Sequence, residues 1–151
     1  MANEIHVNYA SGNTLYAAIR NAAGNVWYVA GQVFEVWGTG GRTANDYDIS
    51  LTDKNGSRYV SSFDTNIPAG RYFIQVFLQA GANPADGDTF IAGEEIVWSG
   101  TGAVTADKLL ANKAVQNKLS GQIKYYDDDG QTVLLTHTPT DAAATITRTP
   151  S

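Results

Sequence analysis

Short runs in which apolar and polar residues alternate fill the chain from Ile5 to Trp98, and Gly, Asn and Asp separate them. Ile5, Val7 and Tyr9 alternate before Ser11-Gly12-Asn13, and Leu15, Ala17 and Ile19 share one face before Ala23-Gly24-Asn25. A period of two is the mark of a strand with one face in a core. Val26–Val29 is almost wholly apolar, and Val33–Trp37 follows a break at Gly31-Gln32. Past the Gly38–Gly41 loop, Tyr47, Ile49 and Leu51 alternate strictly and predict a further strand. Lys54-Asn55-Gly56 predicts a hairpin, because Asn-Gly readily takes positive φ, with Arg58–Phe63 as the partner strand. Ile67-Pro68-Ala69-Gly70 reads as a corner. The longest strand follows, with Tyr72, Ile74, Val76 and Leu78 on one face and Phe73, Gln75, Phe77 and Gln79 on the other. A polar loop, Ala80 to Asp88, leads to a closing strand at Glu94–Trp98. About seven to nine strands with regular turns predict an immunoglobulin-like antiparallel β-sandwich over residues 1–100.

Ser99-Gly100-Thr101-Gly102 has the composition of a linker, and the pattern changes beyond it. Thr105 can cap a short helix with Asp107 in its first turn. Leu110 with Ala114, and Ala111 with Val115 and Leu119, would form one apolar stripe, and Gly121 stands where such a helix would stop. Gln122–Tyr126, Thr132–Thr138 and Ala144–Thr149 then predict a small β-meander, so residues 101–151 read as linker, helix and meander. A segment this short builds no self-sufficient core. Leu110, Ala114, Val115 and Leu119, with Tyr125 and Tyr126, are therefore expected to cover the sandwich, a neighbouring copy or another protein, and they form the candidate assembly interface.

Charge changes at the same boundary. Residues 1–100 carry ten acids against five bases, whereas residues 101–151 carry five of each. The net charge of −5 weighs against a nucleic-acid partner, which selects clustered Lys and Arg. No run of apolar residues is long enough to span a membrane. The absence of cysteine excludes disulfides, thiolate metal sites and thiol nucleophiles. Met1-Ala2-Asn3-Glu4-Ile5 enters a strand directly, without the basic and apolar regions of a signal peptide, so synthesis in a cytoplasm is expected.

Candidate chemistry is sparse. Asp127-Asp128-Asp129-Gly130 invites a calcium reading, but calcium loops place acids at alternate positions, so these residues read as a turn. The pairs Asp46/Asp48, Asp86/Asp88 and Glu94/Glu95 lack the marks of a glycosidase dyad. His6 and His137 stand on predicted strands with no second ligand at metal spacing. No nucleophile elbow or phosphate loop occurs. The expectation is a protein without enzymatic activity, metal or cofactor. Aromatics carry the one alternative: Trp27, Tyr28 and Trp37 could stack on the rings of a host glycan, or else fill a core or an interface.

Several segments resemble a group of small proteins of tailed bacteriophages and prophages. They are Leu15-Tyr16, Ile19-Arg20-Asn21, Gly24 with Trp27, Tyr47-Asp48-Ile49 with Leu51-Thr52, Ile67-Pro68-Ala69-Gly70 with Tyr72, and Gln79-Ala80-Gly81-Ala82 with Pro84. Asn112-Lys113-Ala114, Tyr126-Asp127-Asp128-Asp129-Gly130 and Thr147-Arg148 resemble a C-terminal segment often joined to that domain. The resemblance implies a non-enzymatic structural protein of the virion, on the capsid or in the neck, tail or baseplate. Its implied partners are other virion proteins, and its implied state is a homo-oligomer.

Overall fold

Tight turns join some of the strands, and pairing between distant segments sets the rest of their order. The computed structural model describes residues 3–105, 113–127, 129–142 and 145–150, which fall in two units, Met1–Ala103 and Val104–Ser151. The first unit contains β1 (Ile5–Asn8), β2 (Leu15–Asn21), β3 (Val26–Tyr28), β4 (Val33–Glu35), the helical turn α1 (Ala44–Tyr47), β5 (Ile49–Ser50), β6 (Thr52–Asp53), β7 (Arg58–Ser61), β8 (Gly70–Leu78) and β9 (Thr89–Trp98). They make two antiparallel sheets, one in the order β1-β7-β6 and one in the order β4-β3-β2-β8-β9, with β5 pairing the free part of β2. The protein is mainly β and antiparallel.

Both sheets enclose one apolar cluster. Ile5, Leu51, Tyr59 and Phe63 from the first side meet Leu15, Ile19, Trp27, Tyr72, Ile74, Val76, Ile96 and Trp98 from the second. Burial of each aliphatic side chain contributes about 1.5–3 kcal/mol, so this cluster dominates the stability of the unit. The alternation read along β8 holds: Tyr72, Ile74 and Val76 are buried, and Phe73 is exposed. The Asn55-Gly56 hairpin also forms, with Asn55, Gly56 and Ser57 all at positive φ between β6 and β7.

The strand order departs from the immunoglobulin arrangement, in which the second strand stands beside the first and fifth. Here β1 pairs β7 directly, and β2 lies in the other sheet between β3 and β8. Two features put it there. The turn after β2 is held tight by Asn21, whose Oδ1 accepts from the amides of Ala23 and Asn25 at 3.0 Å. Such a short hairpin joins neighbours within one sheet and cannot cross the roughly 10 Å to a facing one. Leu15 to Ile19 is also buried throughout, because α1 covers the second face of β2 and sets Tyr47 against Ala18 and Val26. A strand apolar on both faces belongs at the centre of a covered sheet.

Tyr47 therefore ends a helical turn and does not begin a strand. Thr43 and Asp46 close the turn as a capping box. The chain next passes from one sheet to the other, because Ile49 pairs Ala17 whereas Thr52 pairs Val60. At the far edge, β9 begins at Thr89, earlier than the pattern suggested, and a bulge between Val76/Ala92 and Phe77/Phe90 brings Phe90 onto the outer face.

The second unit is a four-stranded antiparallel sheet, β10 (Ala114–Gln116), β11 (Ile123–Tyr126), β12 (Val133–Ala142) and β13 (Thr145–Pro150) in that order. The helix expected from Thr105 is corrected over its described part: Ala114 and Val115 lie on β10 and Leu119 in the turn after it. Asp107, Leu110 and Ala111 lie outside the described residues. Asn117 decides the outcome, because its Oδ1 accepts from the amides of Leu119 and Ser120 at 2.9 and 3.2 Å. Its carbonyl accepts from Gly121 at 2.7 Å, and its own amide donates to Gln122 at 2.8 Å. That turn closes a hairpin, and pairing with β11 replaces the helical bonds that residues 114–116 would otherwise have made.

Candidate interaction surfaces

The assembly residues inferred from a helical stripe are dispersed by the strand. Ala114 is the cross-strand neighbour of Tyr125, and Val115 faces the other way opposite Lys124. Leu119 projects from the turn at 101% relative exposure. Tyr125 packs edge-on to His137 at 5.4 Å, and Lys113 Nζ stands 4.8 Å from the Tyr126 ring centre. Ala114 and Tyr125 thus share a face, Val115 and Leu119 do not join them, and Leu110 lies outside the described residues. No described side chain from 113 to 139 is buried.

Asp127, Asp129 and Gly130 belong to a turn, in which the Gly130 amide donates to the Asp127 carbonyl at 2.8 Å. Asp129 Oδ1 accepts from the amides of Gln131 and Thr132 at 2.7 and 2.8 Å, and Oδ2 accepts from the Thr132 hydroxyl at 2.6 Å. Asp128 lies outside the described residues.

The three aromatic residues considered for a sugar platform part company. Trp27 is a core residue at 2% exposure, its Nε1 donates to Asp64 at 2.9 Å, and its ring packs on Phe34. It therefore offers no face to a ligand, which corrects the reading of Trp27 as a stacking residue. Tyr28 and Trp37 are half-buried around Tyr47, and guanidinium groups occupy their faces: Arg42 stands 4.2 Å from the Tyr28 ring centre and Arg20 5.0 Å from that of Trp37. Arg42 also forks onto both oxygens of Glu35 at 2.6 Å, and the Tyr47 hydroxyl donates to Glu35 at 2.9 Å. These bonds, Arg42 first, hold the Glu35 carboxyl below its usual range, while burial raises the Tyr47 phenol. The cluster is closed on itself and fastens the 35–47 segment across the sheet.

Three of the paired acids serve the fold. Asp46 accepts from the Thr43 amide, Asp86 from that of Ala44, and Asp88 from those of Ala80 and Ala85. Among the described residues no group of three or more His, Asp or Glu is placed to hold a metal ion.

A surface that the pattern did not single out lies on the outer face of β8 and β9. Tyr16 stacks on Phe77 at 5.3 Å, and Phe77 meets Phe90 edge-on at 5.9 Å, forming an aromatic row across β2, β8 and β9. The next row is low, with Ala18 beside Gln75 and Gly93, and the third has Arg20, Phe73 and Glu95. The result is a trough of about 500 Å³ with Gly93 in its floor between Phe73 and Phe90, which are 43% and 53% exposed. Phe73 was legible as an outward residue of β8. Phe90 was not, because its orientation follows from the bulge. No protein-family model matches the chain, and no curated protein or solved structure is significantly similar to it.

Proposed function

We propose that the protein is a non-enzymatic structural component of a bacteriophage virion, made in the host cytoplasm and acting through protein–protein assembly. Its second unit is the assembly element, and its partners are other virion proteins and further copies of itself. The observation that carries this reading is the sheet of the second unit, where no described side chain from 113 to 139 is buried and Val115 and Val133 are 42% and 40% exposed. Such a sheet lacks the apolar burial that stabilises a small fold, and association supplies it. Charge supports the same division, since the first 100 residues carry the whole excess of acid and the rest are balanced. Copies therefore repel through the first unit and meet without penalty through the second.

In this reading the first unit is an immunoglobulin-like sandwich with its second strand moved to the opposite sheet. One feature supports the kinship: Tyr72 near the start of β8, whose hydroxyl donates to the Pro68 carbonyl at 2.8 Å. That bond resembles the tyrosine corner of such sandwiches.

The test uses the full chain. Val115→Lys together with Val133→Lys puts charge on the open sheet without touching the first unit. The expected result is a wild-type oligomer by sedimentation, a dissociated variant, and loss of the variant from purified particles. A monomeric wild-type protein that is absent from particles overturns the proposal.

A further inference from the structure

We infer that the outer edge of β9, with the trough beside it, is a docking site for an extended segment of a partner protein in which apolar and basic residues alternate. β9 ends its sheet, and no described strand pairs with its second edge from Thr89 to Val97. Among the described residues only Trp98 is engaged there, by the bridge to Ala103. An edge of this length presents a row of unpaired amides and carbonyls, to which an extended chain can add as one more strand.

The side chains along this edge define what the added strand must carry. Gly93 forms the trough floor beside the free edge; the end of the Phe90 ring leans over it, 3.2 Å from where a Cβ would stand, and Phe73 bounds the other side. A residue opposite Gly93 on an added strand would project over that floor, so a large apolar side chain fills it. The neighbouring residue of the added strand points to the other face, opposite Glu94. Glu94 is exposed and makes no ion pair among the described residues, whereas Glu95 is held by Arg71 at 3.0 Å. Lys or Arg opposite Glu94 therefore completes the alternation.

A second copy of β9 is the poorer occupant. Antiparallel pairing of the edge with itself places Glu94 and Glu95 of two chains against one another, and like charges in opposed strands are destabilising. The acids thus keep copies apart and select a basic partner strand.

The experiment titrates the full-length, isotope-labelled protein with blocked peptides and reads amide shifts and hydrogen exchange. The probe is acetyl-Lys-Phe-Lys-Val-Lys-Phe-Lys-amide. Its controls are the same peptide with Glu for Lys, and an N-methylated form that cannot extend a sheet. The expected result is saturable shifts and exchange protection along Thr89–Val97 with the basic peptide alone, weakened by about five- to tenfold in Glu94→Lys. Phe90→Ser, at an exposed position, should weaken it too while leaving the circular dichroism unchanged. Equal binding of the acidic or N-methylated peptide, or shifts away from β9, overturns the inference. So does the absence of saturation. Saturable shifts of the trough residues with an oligosaccharide, the peptide being inert, would assign the trough to a sugar and overturn it equally.

Discussion

Gly121 and Pro139 touch across the hairpin of the second unit, where a Cβ on Gly121 would stand 2.8 Å from Pro139 Cγ. The same glycine has φ +70°, a region that costs other residues about 1–2 kcal/mol. Backbone and neighbour thus demand the same residue. Pro139, which lacks an amide proton, follows the end of the β11–β12 ladder, and the bare backbone of Gly121 leaves room for its ring.

Gly121→Ala should therefore destabilise the second unit by about 2–4 kcal/mol, the sum of conformational strain and overpacking. Hydrogen exchange is the suitable readout, with protection lost along β11 and β12 and retained along β2 and β8. Unchanged protection of β11 would show that the contact relaxes freely.

The Tyr59 hydroxyl ties the first unit together where β1 turns into β2. It accepts from the Asn13 amide at 3.0 Å and lies 3.0 Å from the carbonyls of both Ala10 and Asn13. Tyr59→Phe keeps the buried ring and removes that knot, leaving backbone groups unpaired, so a loss of about 1–3 kcal/mol is expected in urea denaturation. A change within error would mean that water replaces the hydroxyl.

Trp27 and Trp37 should separate by stability. Trp27→Ala removes a core ring and is expected to cost about 3–5 kcal/mol. Trp37 is half-buried, so Trp37→Ala should cost clearly less in the same denaturation series. Equal costs would show that the Trp37–Tyr47–Arg20 cluster is as central as the core.

Three carboxylates give the fold an acid limit: Arg42 holds that of Glu35 low, and backbone amides hold those of two aspartates. The Gly12 amide, and after it that of Asn55, holds the Asp53 carboxyl below its ordinary value, and the amides of Ala80 and Ala85 do the same for Asp88. A group whose pKa falls on folding stabilises the fold above its unfolded value, about 3.9 here, and that contribution is lost as pH falls through the folded value. Asp48 acts in the opposite sense, because burial raises its carboxyl and acid relieves the cost. The urea midpoint should hold from about pH 7 to 5 and fall below about pH 4, with a shallower fall in Asp53→Asn/Asp88→Asn. An acid limb unchanged in that double variant would place the loss in other groups.

The candidate surfaces were only partly legible in the chain. Tyr125 could be named as a candidate contact residue of the second unit, where it is half-buried, but Ala114 and Val115 carried a helical spacing that β10 does not use. The trough needed Gly93, Phe73 and Phe90 at matching heights on two strands. That register depends on a bulge in β9, which no local signal announced.

By itself the sequence determined what nearest neighbours determine: the Asn55-Gly56 hairpin, the faces of β8, the Asp129-Gly130 turn and the mainly β, antiparallel character. Each depends on backbone preference or on the alternation of side chains along one strand. Only the tertiary structure decided that β2 joins β8, that residues 114–116 pair with β11 instead of coiling, and that Trp27 is buried while Trp37 reaches the surface. Those outcomes rest on contacts between residues far apart in the chain. A run such as Leu15–Ile19 is equally compatible with several partners until the α1 segment covers its second face.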